Sequence, residues 1–471
     1  MQTIRRVTLG VVCLATAMLM LDIAVVNTAL PNISRDLNTD LSGLQWVVDA
    51  YTLALASVVL TAGSLADRLG RRRLFVGGLA VFTASSLACA LADSIAVLDA
   101  ARAVQGLGAA VMFATSLALL ANAFQDARER AGALAVYGAT IGASFAVGPL
   151  VGGALTSGFG WRSIFLINVP LGIATIAATT KWVQESRDEH ARSIDWPGQA
   201  VLGAGLFLLV LALLRGNEDG WTSTAIVAEL SAAAVLLVVF GLIERRVKEP
   251  MLPLGLFKNR TFAGAQVGVF AISGSFFAIF LYTTLYLQNV LHLSAVEAGL
   301  VYMPGTVISF FVAGASAQVL TKISARVMVS VGLALVSAGM LMLTVVGVDS
   351  SWWIFLPGEI VALIGTGMFN PAISGVALGA LPERQSGLAA GAHDTFRQGG
   401  IAVGIAALGA LVPAQAALGH GDPQAFVDGL RNALIVGAGL SALGAVGTAV
   451  LLRTRQRAAV EQPAELALEQ A

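Results

Sequence analysis

The stretch Gly63-Ser64-Leu65-Ala66-Asp67-Arg68-Leu69-Gly70-Arg71-Arg72-Arg73 sets five charges between two long apolar runs. Charges at that density are expelled from a hydrocarbon interior, while the runs on either side can fill one. The stretch reads as a cytoplasmic hinge between two membrane helices. Gly63 and Gly70 permit close backbone approach and sharp turning, Asp67 suits a helix terminus, and Arg68 and Arg71 can anchor at phospholipid headgroups. An ordinary arginine-rich loop would explain the arginines, but not Asp67 framed by two glycines seven residues apart. A dedicated gating element accounts for both.

Outward from the hinge, the composition is 57% hydrophobic and 12% charged over 471 residues, with a mean hydropathy of +0.81. That leaves too little polar surface for a soluble fold of this length, so the chain reads as an all-α integral membrane protein. A bilayer core about 30 Å thick takes roughly 20 apolar residues per helix. The sequence predicts spans over 7–30, 45–66, 73–92, 97–122, 131–156, 162–184, 196–214, 222–243, 262–288, 296–319, 325–348, 352–377, 388–412 and 431–452. They group as 6 + 2 + 6: a bundle in 1–184, an inserted pair with cytoplasmic linkers in 185–260, a second bundle in 261–452, and a disordered cytoplasmic tail in 453–471. With the N-terminus inside, 22 lysines and arginines fall on the cytoplasmic side and 5 on the other (Arg35, Arg102, Arg162, Arg215 and Arg431), leaving Arg397 within a helix. Both termini are therefore expected in the cytoplasm.

The zero net charge, with basic residues spread over loops, gives no nucleic-acid surface. Cys13 and Cys89 lie inside spans and form no disulfide framework or metal site. Arg5 and Arg6 precede an apolar run too long for a cleaved signal peptide, so this run reads as the first span. Neither a cofactor nor a catalytic cluster is expected.

Charges inside the spans need a reason, since each costs on the order of 2.5–3.5 kcal/mol at bilayer depth on insertion scales. Asp22 should face the protein interior, roughly 12 Å below the outer end of its span at about 1.5 Å rise per residue. Asp49 and Arg102 enter from the same side and share that outer third. A structural salt bridge to Arg102 would account for one acid and leave the other without a basic partner. A carboxylate beside an arginine in a partly dry cavity can alternate between paired and protonated states. Asp22 is favoured as the exchanging group, with Asp49 nearby, and Arg102 as a permanent cation that biases it. In the fifth span Gly148, Pro149, Gly152 and Gly153 allow close helix packing and a kink.

Several stretches resemble the major facilitator superfamily. Gly63 to Arg73 is similar to its G-x-L-a-D-r-x-G-r-[RK] loop, and Arg102 to Gly108 resembles R-x-x-Q-G-x-G, which the family associates with proton transfer. Gly148-Pro149-x-x-Gly152-Gly153 resembles the G-P-x-x-G-G motif of its antiporters, generally missing from symporters. Leu21-Asp22-Ile23-Ala24-Val25-Val26-Asn27-Thr28-Ala29-Leu30-Pro31 looks like the first-helix signature of the fourteen-helix drug:proton antiporters, with Ala24 in place of the usual Thr. Trp161 to Gly172 and Tyr286 to Leu291 look like that family too. The resemblance implies the major facilitator fold with 14 transmembrane helices, in a bacterial cytoplasmic membrane. It also implies proton-coupled export of hydrophobic or cationic drug-like compounds by alternating access. Its partners would be small amphipathic substrates, protons and the bilayer, with a single copy of the chain sufficing.

The second group is less determinate. Asp22, Glu359, Asp394 and Arg397 are the candidates for the substrate path. Glu359 reads equally as a packing acid bonded to hydroxyls, and Asp394 with Arg397 as an i,i+3 ion pair. Asp394 also stands where the family usually has Asn before T-x-R-Q, and the tenth span offers Thr306 and Ser309 where some members that export cations carry an extra acid, which disfavours dications. A dedicated exporter of one metabolite, antibiotic or lipid is the alternative to multidrug export. A membrane enzyme or receptor is more remote, because four histidines and two cysteines are scattered.

Overall fold

A run of apolar residues long enough to cross a bilayer has to satisfy its backbone internally, and helices do this within each segment. The computed structural model describes residues 2–187, 193–320, 322–381, 386–419 and 421–452. The expected tail 453–471 lies outside them, as do Arg192 and Arg384, two of the residues used for orientation. Fourteen long helices follow one another among the described residues. The first six are α1 Gln2–Leu37, α2 Leu41–Leu69, α3 Arg71–Ala90, α4 Ile95–Ala123, α5 Ala127–Phe159 and α6 Ser163–Trp182. Then come α7 Trp196–Asp219, α8 Thr224–Arg246, α9 Arg260–Val290, α10 Ala295–Val319 and α11 Ala325–Leu343. The last three are α12 Trp352–Gly379, α13 Ser386–Gly409 and α14 Pro423–Leu451. Thirteen of them are long and apolar enough to cross a membrane. The exception is α13, whose run His393-Asp394-Thr395-Phe396-Arg397-Gln398 lowers its hydropathy.

Side chains that take up free N–H groups set many helix starts. Asp40 accepts from Gly43 N at 2.8 Å ahead of α2, and Asp195 accepts from Gly198 N at 2.8 Å ahead of α7. Three departures from the sequence reading have a local cause. Pro31 is accommodated inside α1, which runs on to Leu37 before Asn38 turns the chain at φ 48°, with a polar end where Arg35 bonds Asn32 at 2.9 Å. Asp422 caps Gln424 N at 3.0 Å and Pro423 suits the first turn, so α14 starts there and Arg431 lies two turns inside it. Gly63 does not turn the chain. It lies within α2, with nothing near the place its Cβ would occupy, and only Gly70, at φ 108°, breaks the helix.

Packing repeats itself. In the first six helices α1 lies beside α5, α2 beside α4, and α3 beside α4 and α6. In the last six α9 lies beside α13, α10 beside α12, and α11 beside α12 and α14, which is the same pattern shifted by one group. The two halves meet along two seams, α5 against α10 and α2 against α13. The α7–α8 pair attaches at the second seam: Gln199 bonds Thr61 at 2.5 Å, Phe207 packs 5.6 Å from Trp46, and Asn217 donates to Ala410 O at 2.6 Å.

Candidate functional site

Five helices of the first half converge on one buried ion pair. The carboxylate of Asp22 on α1 is bonded to Nη1 of Arg102 on α4, and each residue is 1% exposed. Gln105 Nε2 donates to Asp22 Oδ1 at 2.9 Å and to Ser86 Oγ at 2.7 Å, while its Oε1 accepts from Arg102 Nη1 at 2.7 Å. Asn168 Nδ2 of α6 donates to the same Oδ1 and to Ser86 Oγ, each at 3.2 Å. Arg102 Nε donates to Val47 O at 2.9 Å, and the guanidinium lies 4.3 Å from the centre of the Tyr51 ring. Desolvating two charges is unfavourable unless their remaining lone pairs and protons are satisfied, and this shell satisfies them. Gly106 makes the geometry possible, because a Cβ there would stand 2.3 Å from Tyr51 O and hold α4 off α2. Protonating Asp22 would remove the negative charge opposite Arg102 while leaving that cation Gln105 Oε1 and Val47 O as acceptors.

Asp49 is not part of this shell. Gln45, one turn earlier on the same face of α2, donates to Tyr282 Oη of α9 at 2.6 Å and to Ile405 O of α13 at 3.4 Å. Asp49 therefore faces the second half, fully buried, with neither carboxylate oxygen hydrogen-bonded. The expectation that Asp22, Asp49 and Arg102 form one group is corrected accordingly. Nor do the four expected path residues gather in one place. Asp22 belongs to the first half. Glu359 is buried in α12 beside Gly305 of α10, with Oε1 unbonded. Asp394 and Arg397 pair at 2.7 Å on α13, and the Arg397 guanidinium lies across the halves, 5.6 Å from the centre of the Phe113 ring. Next to them Thr395 donates to Ala56 O of α2 at 3.2 Å.

The Gly70 corner is tied by charge. Arg71 donates to Asp67 Oδ1 through Nε at 2.9 Å and Nη2 at 2.8 Å. Glu185 caps the start of α3, accepting from Arg72 N at 3.0 Å and Arg73 N at 3.2 Å, and a Cβ on Gly70 would stand 2.8 Å from its carboxylate. Arg68 is exposed. Glu185, which carries this cap, was not singled out in the sequence, because its partners lie more than a hundred residues away.

On α5 the glycines serve two neighbours. A Cβ at Gly148 would stand 2.4 Å from Ala24 Cβ, and at Gly152 it would stand 2.3 Å from Thr28 Oγ1, both on α1. At Gly153 it would stand 2.4 Å from Ala295 O of α10, and Gly299 of α10 reciprocates against Pro149 O at 2.5 Å. One helix thus packs closely inside its own half and across the seam.

A family model described as "Major Facilitator Superfamily" matches residues 12–405. The chain belongs to the major facilitator superfamily. Among similar members, "Multidrug resistance protein Stp" of Mycobacterium tuberculosis is 37% identical over 84% of this chain and 74% of its own length. "Puromycin resistance protein pur8" of Streptomyces alboniger is 34% identical over 96% of this chain and 92% of its own. "Methylenomycin A resistance protein" of Streptomyces coelicolor is 32% identical over 88% of each. In fold the chain is similar to a crystal structure of the human organic anion transporter MFSD10, with a TM-score of 0.63 and 16% identity, over 94% of this chain and 99% of that one. As a major facilitator protein the chain is a multi-pass protein of the plasma membrane in a family of transporters. Gln105 and Asn168, which complete the Asp22 shell, sit in two stretches that resemble superfamily motifs. Ser86 and Tyr51 carry no comparable signal.

Proposed function

We propose that the chain is a proton-coupled antiporter that exports hydrophobic or cationic drug-like compounds across the cytoplasmic membrane by alternating access. The observation that carries this is the Asp22–Arg102 pair, buried in a shell of neutral hydrogen-bonding groups. One proton taken up by Asp22 changes the charge of a dry site, and a permanent cation beside it must then reorganise. Fourteen crossings with both termini cytoplasmic fit this reading, with bundles in 1–184 and 261–452 rocking about the seams and 185–260 as an insert. In it the Gly70 end faces the cytoplasm, and the Asp67–Arg71–Glu185 corner latches one state. The α5 glycines let the halves seal at the opposite, Gly160 end, where Gln288 of α9 also donates to Thr28 O of α1 at 2.8 Å.

A test is efflux from proteoliposomes under an imposed pH gradient. Cargo movement that follows the gradient and collapses with a protonophore is expected. Movement indifferent to both would refute coupling. The second reading, a dedicated exporter of one compound, is favoured by relatives named for resistance to methylenomycin A or puromycin. A panel in which a single compound is exported and all others are ignored would select it.

A further inference from the structure

Where the α7–α8 pair meets the second seam, at the Gly160 end, the helices leave a cavity of about 340 Å³. Here α2 begins and α7 and α13 end, so one wall comes from the first half, one from the insert and one from the second half. Leu41, Leu213 and Val412 give the cavity apolar surface, while Ser42, Gln45 and Glu218 give it polar surface. Asn217, also in the wall, spends its amide on Ala410 O at 2.6 Å and on Trp221 Nε1 at 2.9 Å. The other three polar residues keep atoms free. Gln45 is 3% exposed, its Nε2 goes to Tyr282 Oη and Ile405 O, and its Oε1 has no donor among the described residues. Nor do the Ser42 hydroxyl and the Glu218 carboxylate have a partner there.

All three free groups can accept a hydrogen bond, and the charge around them is negative. Arg215, one turn before Glu218 on α7, is taken by Asp219 at 2.6 Å and by Glu229 at 2.7 Å. Helix C-termini carry partial negative charge. Both α7 and α13 end at the cavity, and Asp40 caps the one N-terminus, that of α2, which would oppose them. An anion entering here would meet acceptors and like charge. A primary ammonium brings three N–H donors and no acceptor, and a compact hydrocarbon body behind it would bury against the leucines and Val412. We infer that this cavity is a binding site for compact lipophilic ammonium ions, separate from the Asp22 shell. Its occupant touches α2, α7 and α13 at once, so it favours the state in which the three walls are together and the Gly160 end is shut. The site stands without the export reading; the consequence for turnover rests on it.

Equilibrium binding to the purified full chain tests it, in phosphatidylcholine nanodiscs, whose lipid carries no primary ammonium of its own. The probes are 1-adamantanammonium and 1-adamantanol, alike in shape and different in charge, with partition into empty nanodiscs subtracted. The ammonium should bind about tenfold tighter. Glu218→Gln, at an exposed position, should reduce that ratio to about twofold. Ser42→Trp puts bulk into the cavity and should weaken both probes about tenfold. Equal binding of the two probes by the unaltered protein would overturn the inference, as would a full preference in Glu218→Gln or unchanged affinities in Ser42→Trp. In proteoliposomes under a pH gradient the ammonium should lower maximal efflux and leave the cargo KM unchanged. Competition with cargo would put the probe in the transport path and overturn a separate site. The expected binding pattern without gradient-driven transport would remove the export reading and keep the site.

Discussion

Replacing Gly153 by alanine drives a methyl group into the opposite half. Its Cβ would stand 2.4 Å from Ala295 O and 2.8 Å from Val296 Cα. Carbon atoms in ordinary contact stand about 3.5–4.0 Å apart, so α5 and α10 must separate by about 1 Å. Overpacking of this kind costs about 1–3 kcal/mol. The contact exists only while the halves meet at the Gly160 end, so the whole cost falls on the state closed there. Populations should shift about 5–150-fold toward the state open at that end. The adjacent Gly152→Ala is the internal comparison. Its Cβ would stand 2.3 Å from Thr28 Oγ1 and 2.8 Å from Val25 Cα, a clash of similar size within one half, present in both states. Thermal stability should fall while the populations stay. Distances between spin labels at Phe159 and Trp353, both exposed and at the Gly160 end, would report this by double electron–electron resonance. If Gly153→Ala folds and leaves the distance distribution unchanged, or if both variants shift it alike, the division of α5 into two packing faces is wrong.

Asp22→Asn should abolish transport driven by a pH gradient while cargo-for-cargo exchange persists, and loss of the charge opposite buried Arg102 should lower stability by up to about 3–5 kcal/mol; gradient-driven transport near the normal rate would contradict it. Arg102→Lys should be similarly impaired, because one ammonium cannot serve Asp22, Gln105 and Val47 O from the guanidinium's positions; preserved flux would reduce Arg102 to a structural charge. Asp67→Asn removes the negative charge opposite Arg71 and should slow cycling with binding intact, as seen in turnover against equilibrium affinity. Glu185→Gln weakens the cap on α3 by about 0.3–1 kcal/mol at low ionic strength, and less in salt because the carboxylate is partly exposed; a thermal shift independent of salt would argue against a charge effect.

Length and hydropathy made the helices legible, and the cost of a buried charge made Asp22 and Arg102 legible as inward-facing partners. Gln105 was within reach, because it follows Arg102 by three residues and so shares its face. Asp49 was misplaced for a physical reason. Sequence gives its depth, but the direction it faces depends on how α2 is rotated between α4 and α13, and that rotation is set by Gly106 against Tyr51 O on one side and Gln45 against Tyr282 on the other. Gly63 misled in the opposite sense, since a single glycine in an otherwise apolar run weakens a helix without ending it. The contacts of Thr395 with Ala56 O and of Arg397 with Phe113 could not be read at all, because they join helices that only the packed bundle brings together.

The position of α7 has a mechanical consequence. It is fastened along the α2–α13 seam by Thr61 and Gln199 toward one end and by Asn217 and Ala410 at the other, while among the described residues the α5–α10 seam has no helix laid over it. A body bound along one edge turns about that edge, as a book turns about its spine. Displacement then grows with distance from the binding, so the free margin between α5 and α10 travels farthest for a given rotation. A label pair placed there will register movements that a pair beside α7 would miss.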